Sequence, residues 1–315
     1  MFTIKQPSKI IYGKYSASKN HFPENCLLIT SKGSQKRGWI DYIKLKNNFI
    51  FDEVENNPSI ETTEKIVSKF LNKNISKVIG LGGGSVLDVA KFCGHKLRKE
   101  KILIPTTFGS GSEVTRISVL KVNGKKQSFH DDKLFANTAI IDSFFIENTP
   151  QNVFKNSFVD ALAQCSEGYD SKLGNLYTKF LCKKAFDYLE QGFLTNNKEN
   201  IVLGSLFSGL GFGNCSTTLG HALSYVFSNE GISHGHALAF TTTVSHRFNS
   251  SIFSQRFQNL IKKLHFENIQ LKSNLKDASE LILNDRKHLD NNPKPVMKED
   301  IITLLDLINS GKSFD

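Results

Sequence analysis

Residues 80–91, Gly80-Leu81-Gly82-Gly83-Gly84-Ser85-Val86-Leu87-Asp88-Val89-Ala90-Lys91, carry the strongest local chemical signal in the chain. Glycines without Cβ let a backbone approach a phosphate closely. A helix that opens directly after them offers unpaired N–H groups and the positive end of its dipole. The apolar run Val78-Ile79-Gly80-Leu81 in front and the apolar periodicity behind predict a strand, a turn and a helix in that order. Gly82, Gly83, Gly84, Ser85 and Asp88 are the candidate contacts to a dinucleotide. The spacing is neither the G-x-x-x-x-G-K-[ST] of a P-loop nor the ordinary G-x-G-x-x-G fingerprint, which argues against ATP chemistry.

A second turn follows another apolar run. Ile104-Pro105-Thr106-Thr107-Phe108-Gly109-Ser110-Gly111-Ser112-Glu113-Val114-Thr115 clusters hydroxyls and small residues behind a strand. Thr106, Thr107 and Ser110 are candidate cofactor contacts. Ligands of an open parallel sheet bind outside the carboxyl ends of its strands. Both turns are therefore expected on one edge, facing one dinucleotide.

The elements that must position these turns alternate along the first half. Strands are predicted at Cys26–Thr30, Val78–Leu81, Lys101–Pro105 and Thr138–Asp142, with an amphipathic helix over Ser59–Asn72. Such alternation implies parallel strands with crossover helices. Beyond residue 148 the strand signals stop. Helical patterns run over Val153–Tyr169, Leu176–Phe193, Ile201–Phe212 and Ala278–Leu289, with a loop at Asp290–Pro295. The expectation is an α/β domain over residues 1–148 and an all-α domain over 149–315, divided near Thr149-Pro150.

A chain of 315 residues suits two domains, and 39% hydrophobic with 22% charged residues suits a soluble globular protein. No uncharged apolar stretch reaches the roughly eighteen residues of a membrane span, and the N-terminus lacks signal-peptide features; the default expectation is cytoplasmic. The five cysteines, Cys26, Cys93, Cys165, Cys182 and Cys215, are scattered and form no C-x-x-C pair, which argues against a disulfide framework and a thiolate zinc site. The net charge of +10 comes from dispersed lysines rather than a basic arm, so nucleic acid is not the expected partner. Attraction of an anionic substrate is one use for such a charge.

GGGSVLDVAK and IPTTFGSGSEVT, in this order and separation, resemble the two cofactor-domain signatures of iron-containing alcohol dehydrogenases, and Asp142 stands where that family has an acidic residue after its next strand. The resemblance covers roughly residues 5 to 250. It implies a Rossmann-like N-terminal domain, a helical C-terminal domain of the dehydroquinate synthase-like architecture, and an NAD(P) cofactor.

The same resemblance implies a divalent metal, Fe2+ or Zn2+. The family places an Asp and a His four residues apart on a helix, where both share one face, and two more histidines downstream. Here Asp160 matches the aspartate, Gln164 stands in the place of the first histidine as a candidate ligand whose amide oxygen is a weaker donor than imidazole, and His221 and His234 match the other two. One carboxylate and two imidazoles still form a set that holds Fe(II) with open positions. A metal-free site, in which protein hydrogen bonds polarise the carbonyl, is the alternative.

The chemistry implied is reduction of an aldehyde, or oxidation of an alcohol, with the nicotinamide as hydride carrier. Many relatives carry a non-ligand histidine four residues after the first downstream ligand; here Tyr225 stands there. Tyr225, His236 or a water is the candidate proton relay. Many NAD-specific relatives have an acidic residue near Thr30; here Ser31 and Lys32 leave NADPH and NADH both open, with Lys32 and Lys36 favouring the 2′-phosphate of NADPH.

The segment from His221 to Ala237 looks like the branch that includes phosphonoacetaldehyde reductases, pointing to phosphonate biosynthesis, with Arg116, Lys126 and Lys133 as candidate anion contacts. Alternatives are a general small-aldehyde or alcohol dehydrogenase, a lyase or glycerol-1-phosphate dehydrogenase of the same architecture, and a non-catalytic cofactor-binding relative. The oligomeric state stays open, a homodimer being one option.

Overall fold

The structure, a computed structural model, describes residues 1–314. It divides into two units, Thr3–Thr149 and the chain from Pro150 onward together with Met1–Phe2. In the first unit β1 (Lys9–Tyr12), β2 (Leu27–Ile29), β3 (Phe49–Phe51), β4 (Val78–Gly82), β5 (Lys101–Pro105) and β8 (Thr138–Ile141) form a six-stranded sheet, while β6 (Ile117–Val122) and β7 (Lys125–His130) form a separate antiparallel pair. The sheet order is β1-β8-β5-β4-β2-β3, and every pairing in it is parallel.

From β2 the chain moves outward to β3, then returns to β4 and runs the other way to β5. The carboxyl ends of β2 and β4 therefore flank the topological switch point, where open α/β sheets bind ligands. Thr30 Oγ1 donates to the carbonyl of Leu81 at 2.6 Å and ties these two strand ends together. The central strands β2, β4 and β5 are buried on both faces, as the interior of a parallel sheet requires, and Leu27, Ile29, Val78, Leu87, Ala90 and Leu103 share one core. Helix Ile60–Phe70 is capped by Ser59, whose side chain accepts from the Thr62 amide, and helix Gly84–Lys96 packs on β4 and β5.

The second unit is helical. Helix Gln151–Asp170 is buried almost continuously from Phe158 to Gly168. It packs against helices Leu176–Leu194, Lys198–Phe212 and His234–Asn249, and the last packs on helix Leu219–Asn229. Where one late helix over Ala278–Leu289 is expected, there are two, Leu275–Leu283 and Arg286–Asn291. The cause is Asp285, whose carboxylate takes the His288 amide and so starts a new helix rather than continuing the old one. None of the described helices is long and apolar enough to cross a membrane.

Candidate functional site

The glycine turn at the end of β4 opens helix Gly84–Lys96, with Gly83 at its N-cap. The second turn leaves the end of β5, the neighbouring strand, and the two are interlocked. The Thr106 amide donates to the Gly82 carbonyl at 3.0 Å. A Cβ on Gly83 would lie 3.0 Å from Thr107 Oγ1, and one on Gly84 would lie 2.9 Å from Ser110 Oγ. The glycines thus admit the second turn as well as keeping the helix N-terminus bare. Gly83, Gly84, Ser85, Thr107 and Ser110 are half-buried at this edge, while Thr106 is buried. Ser85 Oγ accepts from the Asn57 amide at 3.3 Å.

Asp88 does not join them. Its carboxylate accepts from Ser112 Oγ at 2.6 Å and from the Val119 amide at 3.0 Å, and it pairs with the fully buried Lys91 at 3.0 Å. It lies beyond the first turn, where the free N–H groups of a helix end, and faces inward to hold the helix to the loop and to β6. Burial lowers the Lys91 ammonium from its usual range, against the attraction of Asp88. Asp142 is likewise turned inward, accepting from the Tyr15 and Ala17 amides and the Tyr42 hydroxyl.

Ser31 stands at the N-cap position of the short helix Lys32–Lys36 after β2, without a side-chain capping bond, and pairs through its backbone with Glu53. The sequence reading missed Glu53, which brings a carboxylate to an edge otherwise marked by Lys32 and Lys36. Lys65, bonded at 3.2 Å, and then Lys32 hold that carboxyl below its ordinary value. Arg116, a candidate anion contact, is engaged by Asp132 at 2.8 Å.

In the helical unit three side chains from three helices converge. Asp160 lies on helix Gln151–Asp170, His221 on Leu219–Asn229, and His234 opens His234–Asn249. One ligand atom of each lies within 4.8 Å of the others. Asp160 Oδ1 is 3.7 Å from His221 Nε2 and 3.8 Å from His234 Nε2. These separations are too long for hydrogen bonds. They lie near those of donors bound to one ion, since two atoms each about 2.1 Å from a metal stand roughly 3–3.7 Å apart.

The opposite ring nitrogens are held. His221 Nδ1 is 3.0 Å from Glu167 Oε2, and His234 Nδ1 is 3.5 Å from Ser224 Oγ. A ligating histidine characteristically has its other nitrogen engaged in this way. The residues present therefore fit a divalent ion.

Glu167 is the main functional candidate the sequence reading missed. It is buried and accepts from the Thr218 amide at 2.6 Å as well as from His221. Burial pushes its carboxyl up, but His221 and the Thr218 amide outweigh that and hold it below the ordinary value. A Cβ on Gly220 would lie 2.0 Å from Glu167 Oε1, so only glycine leaves room for this carboxylate. Its signal in the sequence is its place seven residues after Asp160, two turns along the same face. Burial works against charge on His221, yet Glu167 and Asp160 together raise its imidazole to about 9.

Gln164, expected as a fourth ligand, turns its amide nitrogen to Asp160 Oδ1 at 2.8 Å, while its oxygen accepts from Ser208 Oγ at 3.5 Å. In this pose it orients the aspartate instead of offering an oxygen beside it. Tyr225, one turn after His221, stacks beside His234 with ring centroids 6.3 Å apart. Burial and the charges of Asp285, Asp160 and Glu167 push its phenol up and keep it protonated. Its hydroxyl makes no hydrogen bond among the described residues.

His236 is a correction. Its Nε2 lies 2.6 Å from the Glu267 carbonyl and its ring stacks on Phe266. Two residues on from His234, it points to another side of the helix, as i and i+2 positions must.

Sheet, turn and ligand set together define a class: two-unit chains with a phosphate-type turn in an α/β unit and a metal-type ligand set in a helical one. The family model described as iron-containing alcohol dehydrogenase matches residues 7–143, and the model of that family's C-terminal part matches residues 155–287. The chain belongs to the iron-containing alcohol dehydrogenase family.

It is 34% identical to a 4-hydroxybutyrate dehydrogenase from Clostridium kluyveri over 57% of this chain and 56% of the relative. It is 28% identical to a sulfoacetaldehyde reductase from Bilophila wadsworthia over 64% of this chain and 59% of the relative. The matched stretch thus spans little more than half the length of these curated relatives. Among solved structures, an iron-containing alcohol dehydrogenase from Thermotoga maritima superposes with a TM-score of 0.88 at 23% identity, covering 98% of this chain and 100% of that one; this likeness concerns the fold.

Proposed function

We propose that the chain is a metal-assisted, NAD(P)H-dependent alcohol dehydrogenase or aldehyde reductase whose substrate is a small anionic aldehyde. The observation that carries the reading is the convergence of Asp160, His221 and His234, with the outer nitrogens of both imidazoles already held. When bound, the reduced nicotinamide supplies a hydride and the divalent ion a Lewis acid for the carbonyl oxygen.

The chain's own residues do the rest. Asp160, His221 and His234 would hold the ion. Gly83, Gly84, Ser85, Thr107 and Ser110 would seat the pyrophosphate. Tyr225, protonated and with a free hydroxyl, would donate its proton to the substrate oxygen as the C–H bond forms, becoming a phenolate that solvent reprotonates.

The anionic substrate is supported by the net charge of +10 and by two relatives whose names carry a carboxylate and a sulfonate substrate. Phosphonoacetaldehyde, giving 2-hydroxyethylphosphonate, is the specific candidate. Lys32 and Lys36 favour NADPH, and Glu53 opposes it.

The test is NADPH and NADH oxidation with phosphonoacetaldehyde, sulfoacetaldehyde and acetaldehyde, with and without Fe(II) or Zn(II). Metal-dependent turnover of the anionic aldehydes is expected. Equal turnover of acetaldehyde would leave a general alcohol dehydrogenase. A second reading, a cofactor-binding relative without turnover, draws on Gln164; cofactor binding with no turnover on any aldehyde would favour it.

A further inference from the structure

We propose that His288, held by Asp285, is a positioning residue that fixes the rings of His221 and Tyr225. The inference rests on the function proposed above. Four rings close on one another in the helical unit. His221 meets His234 at 5.5 Å between centroids, His234 meets Tyr225 at 6.3 Å, Tyr225 meets His288 at 5.8 Å, and His288 lies nearly parallel to His221 at 6.4 Å, with 12° between their planes.

Three of these rings already have a part in the reaction. His288 does not, yet its ring neighbours both functional rings of helix Leu219–Asn229, the ligand and the proton donor one turn apart. It is itself fixed: it is only 6% exposed, and its Nδ1 lies 2.8 and 2.7 Å from the two oxygens of Asp285. A carboxylate so placed selects the Nδ1–H tautomer and sets the ring plane. Glu167 grips one edge of His221, and the His288 ring lies nearly parallel to it, 6.4 Å away between centroids. Tyr225, whose hydroxyl no side chain holds, has rings on two sides, and His288 is one of them.

Two measurements on the full chain test this, with His288→Phe, Asp285→Ala and Asp285→Asn. The first needs no turnover. The protein is loaded with Co(II), whose visible bands report ligand orientation. All variants should bind one equivalent; H288F and D285A should shift the bands, and D285N, whose amide oxygen still accepts from Nδ1–H, should restore the wild-type spectrum. Identical spectra throughout would overturn the inference, as would loss of metal from H288F, which would make His288 a ligand or a structural prop.

The second is kinetic. H288F and D285A should lower kcat by about 10- to 100-fold with little change in aldehyde KM and a larger solvent isotope effect, and D285N should recover most of the loss. Unchanged kcat beside an active wild type sinks the inference and leaves the reductase reading standing. A wild type inert on every aldehyde sinks that reading, and the Co(II) spectra alone then decide for His288.

Discussion

The two functional regions are built on opposite principles. At the sheet edge the determinants are the absence of side chains and the direction of backbone N–H groups, set by residues adjacent in sequence. In the helical unit they are individual side-chain atoms brought from helices that start at Gln151, Leu219, His234 and Arg286. A site made of backbone fails when bulk is added. A site made of side chains fails when an atom is removed, and it depends on the groups behind it.

The sharpest break in that comparison is His221→Ala. It removes a donor of the converging set and also strips Glu167, 1% exposed, of its charged partner. Leaving a buried charge uncompensated costs roughly 3–5 kcal/mol. Metal binding and metal-dependent turnover should be lost and the melting temperature should fall, while NAD(P)H binding to the glycine turn persists. Metal analysis, calorimetry and cofactor titration on one preparation read all three; retained metal would show that the convergence is not the binding set.

The dependence on groups behind the site reaches to His246, which is 1% exposed and sits 2.8 Å from Ser166 Oγ. Burial lowers its imidazole from 6.5 to about 4, against the pull of Glu167. A base whose folded pKa lies below its unfolded value is protonated first in the unfolded chain, so its contribution is fully present above about 6.5 and is lost as pH falls toward about 4. The stability advantage of wild type over His246→Phe should therefore narrow across that window, by at most about 3 kcal/mol. A gap that stays constant between pH 7 and 4 in denaturant titrations would show that His246 titrates normally.

Bulk is the probe for the other principle. Gly84→Val pushes a side chain onto Ser110 and should weaken cofactor binding by tenfold or more, about 1.4 kcal/mol, with metal content unchanged. Gly220→Ala adds its methyl 2.0 Å from Glu167 Oε1. Overpacking of this kind costs about 1–3 kcal/mol, and displacing the carboxylate behind a ligand should weaken metal binding by about 10-fold or more. If G220A lowered cofactor affinity and left the metal untouched, the contrast between the regions would be wrong.

The same contrast explains what could be read in advance. The two turns are legible because each follows directly on an apolar run, Val78–Leu81 in β4 and Ile102–Pro105 in β5, and the first leads without interruption into its helix. The hairpin of β6 and β7 was not, since Lys125, Lys126, Gln127 and Ser128 give it no apolar alternation. Asp88 belongs to the motif but turns inward, because only the first helical turn presents free N–H groups to a ligand. His236 points away from the ligand set, because nearness in sequence to His234 says nothing of direction around a helix. Glu167 could have been found from its spacing to Asp160. His288 could not: it reaches His221 only through the break that Asp285 makes, and nothing local marks the two as neighbours.

Gln164 is the position at which both principles meet, and its substitution has the smallest expected effect. Its amide nitrogen takes Asp160 Oδ1 at 2.8 Å, the same oxygen that faces both imidazoles. A hydrogen bond to that oxygen orients the carboxylate and draws on its electron density, so it trades donor strength for placement. Gln164→His would remove the amide and set an imidazole one turn from Asp160 on the same face, where it could serve as a fourth donor. Metal affinity should rise by about tenfold, or about 1.4 kcal/mol, with little change in melting temperature of the metal-free chain because the imidazole can still donate a hydrogen bond to Asp160 in place of the amide. Competition against a chelator measures this directly. An unchanged or weaker affinity would mean that the amide's grip on Asp160 matters more than the donor it displaced, and that Gln164 belongs to the support of the site, alongside Glu167 and Ser224.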